Sequence, residues 1–153
     1  MAEAFDAAAG YCRRHVEVAW DDVYGGLYRT LVHVDDNRWA LDKVGWVQQE
    51  ALIGLLAVLE GRRHAWAQEW FNRVDDYNER TFARTTASRS PWKTNIDRTG
   101  ALDLSPGRVE HYHYPRALIF NLLAVERIAA QPRTARSGGT RRLGLMAVAR
   151  GTP

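Results

Sequence analysis

The residues best suited to chemistry lie in the run HYHYPR, at positions 111 to 116. His113 and Arg116 are three positions apart, so in the first turn of a helix their side chains face the same side. A neutral imidazole can take a proton from a carbon next to a carbonyl group. A guanidinium can stabilise the enediolate oxygen that results. The pair predicts proton abstraction beside a carbonyl, although a His-x-x-Arg spacing also arises by chance.

A second polar group precedes another apolar run, in the stretch DKVGWVQQEA. It places Trp46, Gln49 and Glu50 at the N-terminal end of a helix. If the two helices point the same way, their positive ends share one rim, a setting that favours anions and developing oxyanions. Glu50 has two interpretations, a site residue or a carboxylate that meets the helix dipole. Flat faces for a sugar ring are available from four aromatic residues, namely Trp46, Trp92, Tyr112 and Tyr114.

Four helical segments must position these groups. Residues 3–19 and 64–82 are amphipathic, the first with a predicted apolar stripe of Phe5, Ala8, Cys12, His15 and Ala19. Residues 51–60 and 116–128 are apolar almost all round, as helices buried on every side are, and Pro115 suits the first turn of the second. The order predicts an all-α fold in which outer and inner helices alternate.

The two long connections between the predicted helices, residues 24–43 and residues 90–107, resemble each other. Each contains a short alternating stretch, an Asp-containing turn and an Ala-Leu-Asp sequence, at offsets of about 60 residues. This weak repeat predicts two units, each with an outer helix, a hairpin-like loop and an inner helix. Units of this kind stack with further copies, so an inner and an outer ring are expected.

Composition excludes several classes of function. The single Cys12 cannot form an internal disulfide, no signal peptide is visible, and no stretch approaches the roughly 20 apolar residues of a membrane span, so a cytoplasmic protein without a membrane partner is expected. The net charge of +3 comes from residues 132–153, which hold five arginines and no acidic residue. We expect residues 1–131 to form the folded domain and 132–153 a basic, disordered tail rather than a nucleic-acid binding segment. The scattered His and Asp residues show no metal-ligand spacing.

Three motifs resemble, in order, those of the N-acylglucosamine 2-epimerases with the related cellobiose 2-epimerases and mannose isomerases. They are WDDVYGGLYRTL, DKVGWVQQEALIGLL and HYHYPRALI, and the matches run from about residue 4 to 128. The resemblance implies an (α/α)6 barrel and isomerase chemistry on unmodified sugars through an enediolate, without cofactor or metal. It implies an acid/base role for His113, with Arg116 in the same site, and a sugar pocket lined by Trp46 and Glu50.

The sequence departs from the family in three respects. Four helices cover about the C-terminal third of such a barrel, so a fragment of the full enzyme is expected. No histidine is followed three positions later by the glutamate of the family's second acid/base motif. Where cellobiose enzymes have tryptophans, this chain has Gly45 and, near the final motif, Arg108. The alternative hypothesis is a non-catalytic helical module that binds carbohydrate weakly or self-associates as a homo-oligomer.

Overall fold

The computed structural model describes residues 1–83 and 92–131. Within these ranges the chain forms four helices of 18 residues each, joined by connections with short β-strands. In chain order the elements are α1 (Ala2–Ala19), β1 (Thr30–His33), β2 (Arg38–Ala40), β3 (Lys43–Val44), α2 (Gly45–Arg62), α3 (Ala65–Phe82), β4 (Asn95–Ile96) and α4 (His113–Ala130).

Helix α1 buries a face slightly different from the predicted one. Ala9 and Val16 are buried, whereas Ala8 and His15, which we predicted on the apolar stripe, are exposed. Both sets have helical periodicity, so spacing alone did not separate them. The packing of α1 on α2 decides which face is buried, because it covers Val16. The His15 imidazole stays exposed and hydrogen-bonds to the backbone carbonyl of Tyr11 at 2.7 Å.

Helix α2 is the centre of the fold. Its leucines Leu52, Leu55, Leu56 and Leu59 are buried, and it packs against α1, α3 and α4, as expected for an apolar helix. The helix ends where Arg63 adopts a left-handed backbone conformation with φ of 46°, and the Arg63 N–H donates to the Leu59 carbonyl at 3.0 Å.

Helix α4 is longer than predicted and buried on one face. It begins at His113, so Pro115 lies in its first turn, where a missing N–H costs nothing. The prediction of burial on every side is wrong for the described residues, because α4 packs mainly on α2 and no described element covers its other face. Six large apolar side chains there are 44–60% exposed: Leu118, Ile119, Phe120, Leu122, Leu123 and Val125.

The two connections pair with each other. Strands β1 and β2 form an antiparallel hairpin, and β3 pairs antiparallel with β4 of the second connection, Lys43 opposite Ile96. An antiparallel bridge between Ile96 and Asp103 closes a small loop in that second connection. Both connections are therefore hairpin-like, as the repeat predicted, and their pairing brings the N-terminus of α2 beside the segment that leads to α4.

A buried ion-pair network joins the same connections. The Lys43 side chain is fully buried, and its ammonium donates to Asp21 Oδ2 at 3.1 Å, to the Arg98 carbonyl at 2.8 Å and to the Gly25 carbonyl. The Arg98 guanidinium also bonds Asp21, at 2.9 and 3.1 Å. Burial by itself raises the pKa of Asp21, but the bonds from Arg98 and Lys43 hold it well below its usual range.

The fold is mostly helical, as predicted. Helix α2 packs mainly against α4 and α3, while α1 contacts both α2 and α3. The closed ring stays a prediction, and the predicted tail at 132–153 lies outside the described residues. Among the described residues, none of the helices has the length and apolar character needed to cross a membrane.

Candidate active site

The predicted pair on α4 meets the predicted carboxylate on α2. His113 Nδ1 lies 3.1 Å from Glu50 Oε1, and an Arg116 terminal nitrogen donates to the same oxygen. All three side chains are about one-third exposed, at 31%, 31% and 34% for His113, Arg116 and Glu50. The three residues, which we call the Glu50 cluster, form one hydrogen-bonded unit open to solvent on one side.

Glu50 is held as a carboxylate within this cluster. Burial by itself raises the pKa of Glu50, but the hydrogen bonds from Arg116 and His113 lower it below its ordinary value. An ionised carboxylate accepts hydrogen bonds and donates none, so a neutral His113 carries its proton on Nδ1. The other ring nitrogen, Nε2, is then the basic one and is not used by Glu50.

Aromatic rings flank the imidazole on two sides. The ring centroids of Trp46 and His113 are 5.4 Å apart, with the planes tilted by 30°. The Tyr112 and His113 rings are nearly perpendicular with centroids 5.0 Å apart, and the Arg116 guanidinium lies 5.9 Å from the Tyr112 ring. Trp46 is 43% exposed and Tyr112 63% exposed, so both rings keep a free surface beside the cluster.

Two other predicted contributors do not hydrogen-bond to the Glu50 cluster, although one of them, Tyr114, lines the cavity beside it. Tyr114 was expected to offer a face to sugar, but it is 1% exposed and stacks on Trp92 at 4.8 Å with its Oη donating to the Lys93 carbonyl at 3.4 Å. Burial raises the pKa of Tyr114, as befits a core residue. Gln49 is 4% exposed and does not hydrogen-bond to the Glu50 cluster, so its contact with sugar stays a prediction.

The residue before it, Gln48, has a role that sequence reasoning missed. Its amide oxygen accepts from the Leu27 N–H at 3.0 Å, and its amide nitrogen donates to the Leu27 carbonyl at 2.9 Å. These two hydrogen bonds to the backbone of Leu27 fix the first connection against the start of α2. The signal available in the sequence was a polar residue placed just before the apolar run of α2.

Glu110 was also missed, and it corrects the predicted electrostatics. Its two carboxylate oxygens accept from the N–H groups of Tyr112, at 2.9 Å, and Tyr114, at 2.8 Å, at the start of α4. Burial raises the pKa of Glu110, but these backbone bonds outweigh it and lower the value. Glu110 therefore occupies the positive end of α4 that we expected to face an anion.

A cavity of about 400 Å³ opens next to the cluster. Trp46 forms part of its wall and also packs on His113, so the cavity and the cluster share one side chain. Its polar and charged lining residues are Arg29, Thr30, Thr94, Asn95, Arg108, Glu110 and Tyr114. The volume falls within the range of small-molecule sites in proteins, roughly 300–1,000 Å³.

Comparison with known proteins agrees with the motifs. The family model described as N-acylglucosamine 2-epimerase (GlcNAc 2-epimerase) matches residues 1–117, a span that ends one residue beyond Arg116. No curated protein is significantly similar to the chain. The matched span contains α1 to α3, the cavity and all three residues of the Glu50 cluster. The chain therefore belongs to the N-acylglucosamine 2-epimerase family, which places it with the sugar epimerases and gives it a small-molecule substrate.

Proposed function

We propose that this chain carries the acid/base centre of a sugar 2-epimerase or aldose–ketose isomerase. The observation that supports the proposal best is the Glu50 cluster. His113 and Arg116 lie 63 and 66 positions after Glu50 in the sequence, yet both contact the same Glu50 carboxylate oxygen. The four helices are taken as an arc of an (α/α)6 ring whose inner helices, α2 and α4, present the cluster at their N-terminal ends.

In this mechanism Glu50 positions the base. By accepting the Nδ1–H of His113 it selects the tautomer in which Nε2 is unprotonated, and it favours the imidazolium that forms when Nε2 takes a proton. The proton is removed from C2 of the open-chain sugar. The electrons of the C2–H bond form a C1–C2 double bond, and the C1 carbonyl oxygen becomes an enediolate oxygen.

Arg116 stabilises that oxygen. A guanidinium has five N–H donors in a planar fork, and one terminal nitrogen of Arg116 is used by Glu50, which leaves further donors for the substrate. Epimerisation is completed when C2 takes a proton on the opposite face, and this step needs a second acid besides His113, because one imidazole reaches only one face of the enediolate. Return of the proton to C1, with proton transfer between the two oxygens, gives the ketose. Trp46 and Tyr112, which keep exposed ring surface, are the proposed contacts for the sugar ring.

The test is exchange of the C2 proton with solvent. Unmodified aldoses and N-acetylglucosamine are incubated with the full chain in D2O, and deuterium at C2 is followed by NMR. We expect His113→Gln to slow exchange by about 10²-fold or more, the usual contribution of a general base. His111→Gln is the matched control, because His111 is exposed and lies in the loop just before α4. Equal exchange rates in the two variants would remove His113 from the mechanism.

A second candidate function, self-association of a helical module, is favoured by the six exposed apolar side chains of α4. A surface helix normally has a polar outer face, and a contiguous apolar patch marks an interaction site. We propose a second copy of the chain as its occupant. Analytical ultracentrifugation should show an oligomer that Leu122→Glu dissociates and that Val18→Glu, on the exposed face of α1, leaves intact. A monomeric unmodified chain contradicts this candidate.

A further inference from the structure

The first turn of α4, which carries the proposed base, depends on an acceptor outside the helix. The first N–H groups of a helix have no partner within it. In α4 the first intrahelical bond runs from the Arg116 N–H to the Tyr112 carbonyl, at 3.0 Å. Pro115 has no N–H to be satisfied. The N–H groups that need an outside acceptor are therefore those of Tyr112, His113 and Tyr114.

The Glu110 carboxylate is that acceptor. Its two oxygens bond the N–H groups of Tyr112 and Tyr114, the residues on either side of His113 in the chain. Burial raises the pKa of Glu110, but the three backbone N–H groups together lower it, and that of His113 has the largest effect among them. One ionised carboxylate therefore holds three consecutive residues of the turn.

His113 is thereby fixed at two points. Glu110 holds its backbone, and Glu50 on α2 lies 3.1 Å from its ring nitrogen Nδ1. That distance is near the upper end of ordinary N–H···O bonds, about 3.2 Å, so a small outward movement of the turn breaks the contact. The bond between His113 and Glu50 therefore depends on where Glu110 places the backbone.

We propose that Glu110 is a positioning residue, whose backbone bonds hold the first turn of α4 where the His113 imidazole meets Glu50. The inference rests on the proposed function, because Glu110 acts through the proposed base. Both Glu110 oxygens are used by backbone N–H groups, so this carboxylate takes no part in the proton transfer itself. Its contribution to the reaction is the placement of the imidazole.

The experiment is nitrogen NMR of the imidazole rings in the full chain, at a pH where the rings are neutral. The His113→Gln spectrum identifies the His113 signals by their loss. In the unmodified chain we expect the Nδ1–H tautomer, which the bond to Glu50 selects. In Glu110→Ala we expect a mixture of the two tautomers. The rate of C2 exchange at saturating sugar should fall about tenfold or more, since a misplacement of about 1 Å can cost about 10²-fold.

Two further variants separate positioning from stability. Asp97→Ala, in the same connection, loses backbone bonds of the same kind, from the N–H groups of Leu102 at 2.8 Å and Thr99 at 3.3 Å. It should keep both the His113 tautomer and the exchange rate. Glu110→Gln keeps one acceptor oxygen, so its tautomer ratio should lie between those of Glu110→Ala and the unmodified chain. It provides the test if Glu110→Ala does not fold.

Two results overturn the proposal: an unchanged His113 tautomer in both Glu110 variants, or an equal change in Asp97→Ala. The tautomer is measured without sugar, so the outcome is separable from the isomerase assignment. A tautomer that depends on Glu110 in a chain without C2 exchange keeps the positioning of His113 by Glu110 and removes the isomerase. Exchange that is as fast in Glu110→Ala as in the unmodified chain does the reverse.

Discussion

Replacing Asp21 with alanine tests the buried network that joins the two connections. Asp21 is 1% exposed and is the acidic partner of Lys43, which is fully buried, and of Arg98, whose side chain is 35% exposed. Asp21 follows α1, Lys43 precedes α2 and Arg98 precedes α4, so the network holds together the segments that lead into the candidate site.

The cost of the substitution follows from what it leaves behind. In Asp21→Ala the Lys43 ammonium keeps its bonds to two backbone carbonyls but has no opposite charge within the buried network. Burial already lowers the pKa of Lys43 in spite of Asp21, whereas the pKa of Asp21 is lowered by its partners. A lowered pKa favours the ionised form of Asp21 but disfavours the ionised form of Lys43, because the buried ammonium is incompletely compensated. Removing one partner of such a pair costs about 3–5 kcal/mol.

The assay is urea unfolding followed by tryptophan fluorescence, with Asp22→Ala as the matched control. Asp22 is adjacent and exposed, so its replacement should change the free energy of unfolding by less than about 0.5 kcal/mol. The double variant Asp21→Ala with Lys43→Met should be more stable than Asp21→Ala alone, because the unpaired charge is gone. The reasoning is refuted if Asp21→Ala matches the control, or if adding Lys43→Met destabilises it further.

Three further predictions concern packing and pH. Gly45→Ala places a Cβ atom 2.3 Å from Tyr114 Oη, so the free energy of unfolding should fall by about 1–3 kcal/mol in urea titrations; an unchanged midpoint contradicts the close contact. Gln48→Ala leaves the buried N–H and carbonyl of Leu27 without their partner, and thermal unfolding should show a loss of about 1–3 kcal/mol; a melting temperature equal to that of the unmodified chain contradicts it. Because the pKa of Asp21 is lower in the folded chain than its unfolded value of about 3.9, its contribution is present above about pH 4 and lost as the pH falls further. Circular dichroism should therefore show a smaller acid-induced fall in melting temperature for Asp21→Asn than for the unmodified chain, and equal falls count against the network.

The helices and the reactive pair were predictable from sequence because they depend on local geometry. Apolar residues repeating every three to four positions identified α1 and α3, and nearly continuous apolar runs identified α2 and α4. A spacing of three placed His113 and Arg116 on one face of α4, and both side chains reach the same Glu50 oxygen. The motif order also identified the family, which the match over residues 1–117 confirmed.

Local patterns failed where a side chain's environment depends on distant residues. From the sequence, Glu50 was either a partner of the helix dipole or a site residue, and its distance of 3.1 Å from His113 depends on the packing of α2 against α4. Tyr114 was expected to offer a flat face to a sugar ring, yet it is buried and stacks on Trp92.

The sequence by itself determined which segments are helical, which of their residues are apolar, and that an imidazole and a guanidinium share one helical turn. Tertiary structure decided which apolar faces are covered, as the exposed face of α4 shows. It also decided that Asp21, Lys43 and Arg98 form one network, and that Glu110 occupies the start of α4. The physical reason is range: backbone periodicity acts over one or two turns, whereas burial and charge pairing join residues that only the folded chain brings together.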